Sequence, residues 1–496
     1  MATAPPGADA GGIQAAVEAF VRNARQPALY EAGEHLLPLA ADNFALEMRG
    51  SRLTIAAWDR TRNFSRRILG VERADSARME ITVERFGRRE GKLFLVDLSR
   101  PAGADAGRRS ARLVFRERVR LFLRRQFPDW DLAELTAEAN LARSLSPAFP
   151  RAFLKRGQHG WAAIACPPEG DAAAALTFGL IWLDYLRARE KRLAVEGLAL
   201  YAPAGAERAV APRLLCLDPA SARFDLLVYS REDYVAQADP RDYGNFDTRL
   251  EPWRRPPLPE EWERVAALPG VERVPKHDGR ESWRVRGVEF AEASASGLSF
   301  GLAERRPAAR HHAAEIERLA GELYRARAPE AADREHPLYR QAPEAWLESQ
   351  VRAAIETVDA SLRPAPVYGQ TPVMAAGERG VIDLLAADHN GRLAVVELKA
   401  SADPHLPLQA LDYWVRVKWH LDRGEFAAAG YFPGVQLRPE APRLLLVAPS
   451  LEFHSTTEQI LRYFAPSIEV QRIGLAVEWR KELRVMFRLN GAEQPR

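Results

Sequence analysis

Between Gly380 and Ser401 the sequence writes two apolar runs, Val381–Ala387 and Leu393–Leu398, on either side of Asp388-His389-Asn390-Gly391. An Asn-Gly pair between β-patterned runs predicts a tight antiparallel hairpin. Side chains alternate across a strand with period two. Val381, Asp383 and Leu385 therefore share one face of the first strand, and Val395, Glu397 and Lys399 share one face of the second. Closing the hairpin brings Asp383 beside Glu397 and Lys399 at one end of the sheet.

That juxtaposition is costly. Charged groups are seldom buried unless they are paired, and two neighbouring carboxylates push each other's pKa upward. A divalent cation removes the penalty. Mg²⁺ takes oxygen ligands and is commonly held by one or two carboxylates together with waters and a substrate phosphate. The ammonium of Lys399 could then orient an attacking water or take its proton. Lysine is scarce here: of 70 basic residues only Lys92, Lys155, Lys191, Lys276, Lys399, Lys418 and Lys481 are Lys. An Arg does not give up its proton in a protein, whereas a partly desolvated Lys can. A Lys two positions after Glu397 therefore carries more meaning than it would in a Lys-rich chain.

Asp383 followed by Glu397-Leu398-Lys399 resembles the PD-(D/E)xK nuclease superfamily, the restriction-endonuclease-like fold. Upstream, Pro343-Glu-Ala-Trp-Leu-Glu348 opens a helix of the kind that precedes the core sheet in that family, with Glu348 where its helix-borne acid stands. Downstream, Gln409-Ala-Leu-Asp-Tyr413 resembles the Gln-x-x-x-Tyr element of RecB-type members. The resemblance covers about residues 342–450, and Ile382 replaces the Pro that names the motif. It implies that Asp383, Glu397 and the carbonyl of Leu398 bind Mg²⁺ or Mn²⁺, with Glu348 reaching the ion directly or through water. Lys399 would position or activate the water, while Gln409 and Tyr413 hold the metal-site shell or the scissile phosphate. The implied reaction is hydrolysis of phosphodiester bonds in DNA, with RNA also admitted as substrate.

The remainder predicts an α/β multidomain protein. The expected organisation is a flexible tail over 1–14, a β-rich module over 15–105 and an α/β middle domain over 106–305. A helical linker over 306–341 then leads to a C-terminal nuclease-like domain over 342–496, a mixed sheet flanked by helices. Expected helices include Ile13–Arg25, 108–127, Leu132–Arg143, Ala172–Lys191 and Ala308–Arg327. Expected strands include Trp161–Ala165, Val195–Tyr201 and a hairpin of Leu214–Leu217 with Phe224–Tyr229. Pro- and Arg-rich residues 238–280 read as connecting structure. His311-His312 with Glu315 lacks zincin spacing and reads as helix surface.

The middle domain also echoes the C-terminal one, as expected either of a degenerate copy or of two α/β domains that share a common element order. Ala175–Tyr185 parallels Leu408–Trp414, Arg286–Phe290 parallels Ile473–Trp479, and Ala165-Cys166-Pro167 stands where the second copy has Glu397-Leu398-Lys399.

Composition narrows the partners. Two cysteines, Cys166 and Cys216, exclude a disulfide framework and suit a reducing cytosol, so a cytoplasmic location is expected. Residues 1–12 lack the features of a signal peptide, and the apolar run Ala172–Leu183 is too short to span a bilayer. No Gly-rich loop with a following Lys-Ser/Thr is present, so any motor would be a separate protein, in repair or in defence. Residues 1–125 carry 23 Lys and Arg against 15 Asp and Glu, whereas 340–496 carry 18 against 19. Attraction to a polyanion should lie at the N-terminal end, where Trp58–Arg67 interleaves Arg with aromatics. A homodimer is compatible with all of this. The competing reading is a non-catalytic nucleic-acid-binding or scaffold protein built on nuclease-like folds.

Overall fold

A computed structural model describes residues 9–31, 37–40, 42–50, 52–58, 63–85, 89–242, 248–253, 260–276, 279–375 and 378–494. The protein is mixed α/β, with several sheets, and divides into two compact units: residues 1–140 with 146–157, and residues 141–145 with 158–496.

The first unit is built on an antiparallel sheet running from Pro27 to Asp97. Its strand Arg52–Trp58 buries Leu53, Ile55 and Ala57 and leaves the residues between them partly or fully exposed, as a sheet covered on one face requires. The helix Ala10–Asn23 supplies Ile13, Val17 and Phe20 to that core. It starts earlier than the predicted tail allows, because Asp9 caps it by accepting from the Gly12 N–H. In the Arg- and aromatic-rich segment, residues 59–62 lie outside the described residues. Arg66 and Arg67 pair with Glu31 and Glu84, at 2.9 and 3.1 Å. The predicted helix Leu132–Arg143 is instead a strand, Asp131–Thr136, followed by a single turn of 3-10 helix. Antiparallel pairing with Arg151–Arg156 outweighs the helical propensity of Leu, Ala and Glu there.

The second unit contains two α/β sheets and a small antiparallel one. In the first, β1 (His159–Ala165), β2 (Ala194–Pro203) and β3 (Arg223–Tyr229) are parallel, and β4 (Val235–Ala238) returns antiparallel beside β3. Helix α1 (Ala172–Arg189) links β1 to β2, and α2 (Glu207–Leu214) links β2 to β3. The predicted hairpin of Leu214–Leu217 with Phe224–Tyr229 is therefore incorrect: Leu214 ends a helix, and β3 takes β2 and β4 as its partners. Within the stretch read as connecting structure, Glu260–Ala266 is a helix and Val271–Pro275 a strand of the small sheet. That sheet runs to Pro307 and is covered by helix Ala313–Ala326, which buries Ile316, Ala320 and Leu323 against Trp283, Phe290 and Phe300. Residues 313–326 thus contribute to a core. Arg310–His312 form a 3-10 turn before that helix, and Glu315 pairs with Arg306.

The C-terminal sheet begins after helix α3 (Pro343–Ala353). Strands β5 (Tyr368–Ala375), β6 (Glu378–Ala387) and β7 (Leu393–Leu398) form an antiparallel meander. Helix α4 (Leu406–Asp422) then crosses to β8 (Arg443–Pro449), parallel to β7. Helix α5 (Thr457–Leu461) crosses to β9 (Val470–Leu475), parallel to β8, and β10 (Val485–Asn490) closes antiparallel. A short strand, Thr248–Leu250, pairs with β5. Both sides of β7 are covered, and all six of its residues are buried.

Candidate active site

The predicted hairpin is present. Asp388 Oδ1 accepts from the N–H groups of Asn390 and Arg392, both at 2.8 Å, and Gly391 turns the chain at φ +89°. A Cβ on Gly391 would lie 2.0 Å from the Gln436 carbonyl oxygen, so the position needs glycine for space as well as for φ. The register pairs Leu384 with Val396 and Leu385 with Val395, which sets Asp383 across from Glu397. Here the ladder gives way to a side chain: Asp383 Oδ2 accepts from the Leu398 N–H at 2.9 Å.

The two faces of this sheet differ in kind. Leu384, Ala386, Ala394, Val396, Leu398, Leu445 and Val447 pack with Trp346, Leu347 and Val351 of α3 in one apolar core. Alternation places Asp383 and Glu397 on the opposite face, the one crossed by α4. Glu397 is 1% exposed, and its Oε2 is buried with no hydrogen-bond partner among the described residues. On α4, Gln409 Nε2 donates to Tyr413 Oη at 3.3 Å, one helical turn apart. The Lys399 side chain is 12% exposed and lies 3.6 Å from Asp403 Oδ2. Its N–H continues the sheet by donating to the Val447 carbonyl at 3.0 Å.

The electrostatics follow from this burial. Asp383 is pushed up to about 7, chiefly by burial; the Leu398 N–H opposes the rise, and the Glu348 and Glu344 charges add to it. Glu397 is driven well above the ordinary glutamate range by burial, then by the Asp383 charge beside it. Burial pulls Lys399 down, but Glu344, Glu397, Asp403 and Asp383 more than offset it, and its pKa lies above the ordinary lysine value. Burial and the Glu397 charge raise the Tyr413 phenol to about 12, against the Gln409 hydrogen bond. Asp383, Glu397, Lys399 and Tyr413 therefore act on one another as a single charged cluster.

Glu348 also acts on that cluster, since its charge raises the Asp383 carboxyl. It is buried on α3, the helix covering the other face, and its carboxylate is held between Arg284 at 3.5 Å and Arg352 at 3.4 Å. The residue that sequence reasoning missed is Glu344, one turn earlier on α3. It is exposed, and its charge raises the pKa of Asp383, Glu397 and Lys399 alike. The i, i+4 spacing puts both acids on one stripe of the helix; Asp383 feels both charges, and Glu397 and Lys399 feel that of Glu344. Asp403, four residues after Lys399, was missed as well.

Among the described residues no group of three or more His, Cys, Asp and Glu side chains is placed to hold a metal ion. Asp383 and Glu397 nonetheless suit a hard divalent cation, which can be held by two carboxylates with waters filling its other positions. The partnerless Glu397 Oε2 is the kind of buried oxygen such an ion would satisfy. Among the described residues no helix is long and apolar enough to cross a membrane. No protein-family model matches the chain, and no curated protein matches it either.

Proposed function

We propose that residues 342–496 form a metal-dependent nuclease domain of restriction-endonuclease-like fold that hydrolyses phosphodiester bonds in DNA. The observation that carries this reading is the buried Asp383–Glu397 pair, with a partnerless Glu397 oxygen and the Lys399 ammonium beside it. An isolated buried carboxylate pair is strongly unfavourable, and a protein retains one where a bound cation or a reaction makes use of it. Asp383, Glu397 and the Leu398 carbonyl would hold Mg²⁺ or Mn²⁺. Such an ion supplies a Lewis acid for the phosphoryl oxygen and a water acidified to near neutral pH.

The chain's own residues do the rest. Lys399, kept protonated by four surrounding acids, presents its ammonium to the attacking water or to a non-bridging phosphate oxygen and fixes the line of attack. The Leu398 N–H fixes the orientation of the Asp383 carboxylate. Gln409 and Tyr413 hold each other over Glu397 and offer neutral donors to the phosphate. Glu344 at the exposed end orders water near Lys399, while Glu348 with Arg284 and Arg352 anchors α3. The basic N-terminal unit supplies attraction to the polyanion.

The test is incubation with supercoiled, linear and single-stranded DNA, and with RNA, in Mg²⁺ or Mn²⁺. Cleavage by wild type that Asp383→Ala abolishes is expected. Identical behaviour of the two proteins under every metal and salt condition refutes the proposal. The binding-protein alternative predicts salt-dependent DNA binding that needs no divalent ion, together with no heat on calorimetric titration of Mn²⁺.

A further inference from the structure

The sequence echo has an exact structural form. Both α/β halves of the second unit run strand, helix, parallel strand, helix, parallel strand, antiparallel strand: β1-α1-β2-α2-β3-β4 and β7-α4-β8-α5-β9-β10. Past a bulge at Gly160–Trp161, their parallel ladders keep the same register. Ala165 pairs with Tyr201 and Tyr201 with Leu227, as Leu398 pairs with Val447 and Val447 with Ile473. The Cys166 N–H donates to the Tyr201 carbonyl at 2.8 Å, as the Lys399 N–H donates to that of Val447. The copy of Glu397-Leu398-Lys399 is therefore Ile164-Ala165-Cys166, one residue earlier than sequence comparison placed it. Likewise β9 matches β3, so the sequence echo at Arg286–Phe290 is not a structural one.

The two halves meet about a pseudo-two-fold axis. Leu217, beyond α2, bridges antiparallel to Phe464, which occupies the same place beyond α5. The Asp218 N–H donates to the Tyr463 carbonyl at 2.8 Å, and the Ala465 N–H donates to the Cys216 carbonyl at 2.9 Å. Exchanging the two halves turns each of these bonds into the other, as an isologous interface requires. Helix α4 packs on α2 and α1 packs on α5. Arg213 of α2 reaches Asp412 of α4 at 3.6 Å, and Arg462 after α5 reaches Asp184 of α1, also at 3.6 Å.

This symmetric frame carries an asymmetric chemistry. Ile164, buried, replaces Glu397, and Cys166 replaces Lys399. With the starts of α1 and α4 aligned, Gly179 replaces Tyr413 and Ala175 replaces Gln409. Gly179 is locked in that state, because a Cβ there would lie 2.9 Å from both Ile164 Cγ2 and Leu198 Cδ2. The second site has been filled with close-packed apolar groups.

We infer that the second unit is an intrachain pseudo-dimer with one hydrolytic centre, and that it breaks one strand of duplex DNA per encounter, leaving a nick. The inference rests on the nuclease reading above. The strands of a duplex are related by local two-fold axes, so a two-fold protein surface meets both alike, but here only one half can cut. Each event forms one bond from a water oxygen to phosphorus and breaks one phosphorus–oxygen bond; the attacking water gives up a proton to solvent, and the departing sugar oxygen takes one from solvent.

The experiment follows supercoiled plasmid over time with the full chain and Mn²⁺. Open-circular DNA should account for nearly all the input before linear DNA appears. Diluting wild type with Asp383→Asn protein at constant total concentration should lower the nicking rate in proportion, to one half in an equal mixture. Linear DNA arising in step with the loss of supercoils, or a rate falling with the square of the wild-type fraction, overturns the inference and leaves the nuclease reading intact. Cleavage confined to single strands does the same. Absence of cleavage on every substrate overturns both.

Discussion

Asp383→Asn should stabilise the metal-free protein at alkaline pH and do nothing for it in acid. The Asp383 carboxyl is raised from its ordinary 3.8 to about 7, chiefly by burial and further by the Glu348 and Glu344 charges. Because the folded-state pKa lies above the unfolded one, the folded state binds more protons between the two values, and stability falls as pH rises through that window. The penalty is absent below about pH 4 and complete above about pH 7. At about 1.4 kcal/mol per pH unit, the ionised carboxylate costs the metal-free fold on the order of 4 kcal/mol at pH 8. Asparagine keeps an oxygen to accept the Leu398 N–H and removes the charge facing Glu397. The assay is thermal and urea unfolding of both proteins in a chelator at pH 4, 6 and 8. Asn should gain roughly 2–4 kcal/mol at pH 8 and almost nothing at pH 4. Mn²⁺ should raise the stability of wild type more than that of the variant, because only wild type has two charges for the ion to neutralise. A variant less stable than wild type at pH 8, or a difference that does not shrink toward pH 4, refutes the claim that this site stores electrostatic strain.

Three further outcomes follow from named contacts. Lys399→Met should lower cleavage by about 100-fold or more while leaving DNA binding within a few-fold, and Lys399→Arg should not restore it, because a planar guanidinium does not replace a compact ammonium; single-turnover cleavage and filter binding measure both. Arg352→Met removes a partner of the buried Glu348 and the half-buried Glu272 and should cost about 2–4 kcal/mol in urea unfolding, whereas the surface pair Lys418–Asp422 should contribute under about 1 kcal/mol. Arg327 is fully buried and donates to the carbonyls of Leu338, Gln341 and Arg286 at 2.5, 2.6 and 3.1 Å, so Arg327→Met should destabilise the second unit by about 2–4 kcal/mol through orphaned carbonyls; comparing unfolding midpoints with wild type checks it.

How far the sequence reveals this molecule depends on how local each determinant is. The hairpin carrying Asp383 and Glu397 was legible because its turn chemistry and its period-two pattern both lie within twenty residues and agree. The role of α3 was only half legible: Glu344 and Glu348 differ by one turn and both raise Asp383, and an arginine that pairs with Glu348, Arg284, lies 64 residues away in another sheet. Misread segments had the same origin. Asp131–Thr136 has helix-forming residues but is held by a strand that follows fifteen residues later. Leu214–Leu217 looked like a strand because nothing nearby revealed that its partner is the stretch before β9, almost 250 residues on.

The internal copy gave up its existence but not its alignment. Sequence comparison matched Asp184-Tyr185 to Asp412-Tyr413, the most similar letters. Strand register and helix starts instead align Tyr413 with Gly179 and Glu397 with Ile164. The two alignments differ by six residues, more than a helical turn, and the two Asp residues pair with arginines of the opposite half, Arg213 and Arg462. The two halves share strand order, register and a mutual interface, and none of these is written in the vocabulary of motifs. Ile164 and Gly179, which has no room for a Cβ, fill the place that Glu397 and Tyr413 hold in the C-terminal half, so no cavity costing several kcal/mol is left there. The asymmetry is therefore built into the core of the fold, and on the proposed reading a second centre would take coordinated change at Ile164, Cys166, Gly179 and Leu198 together.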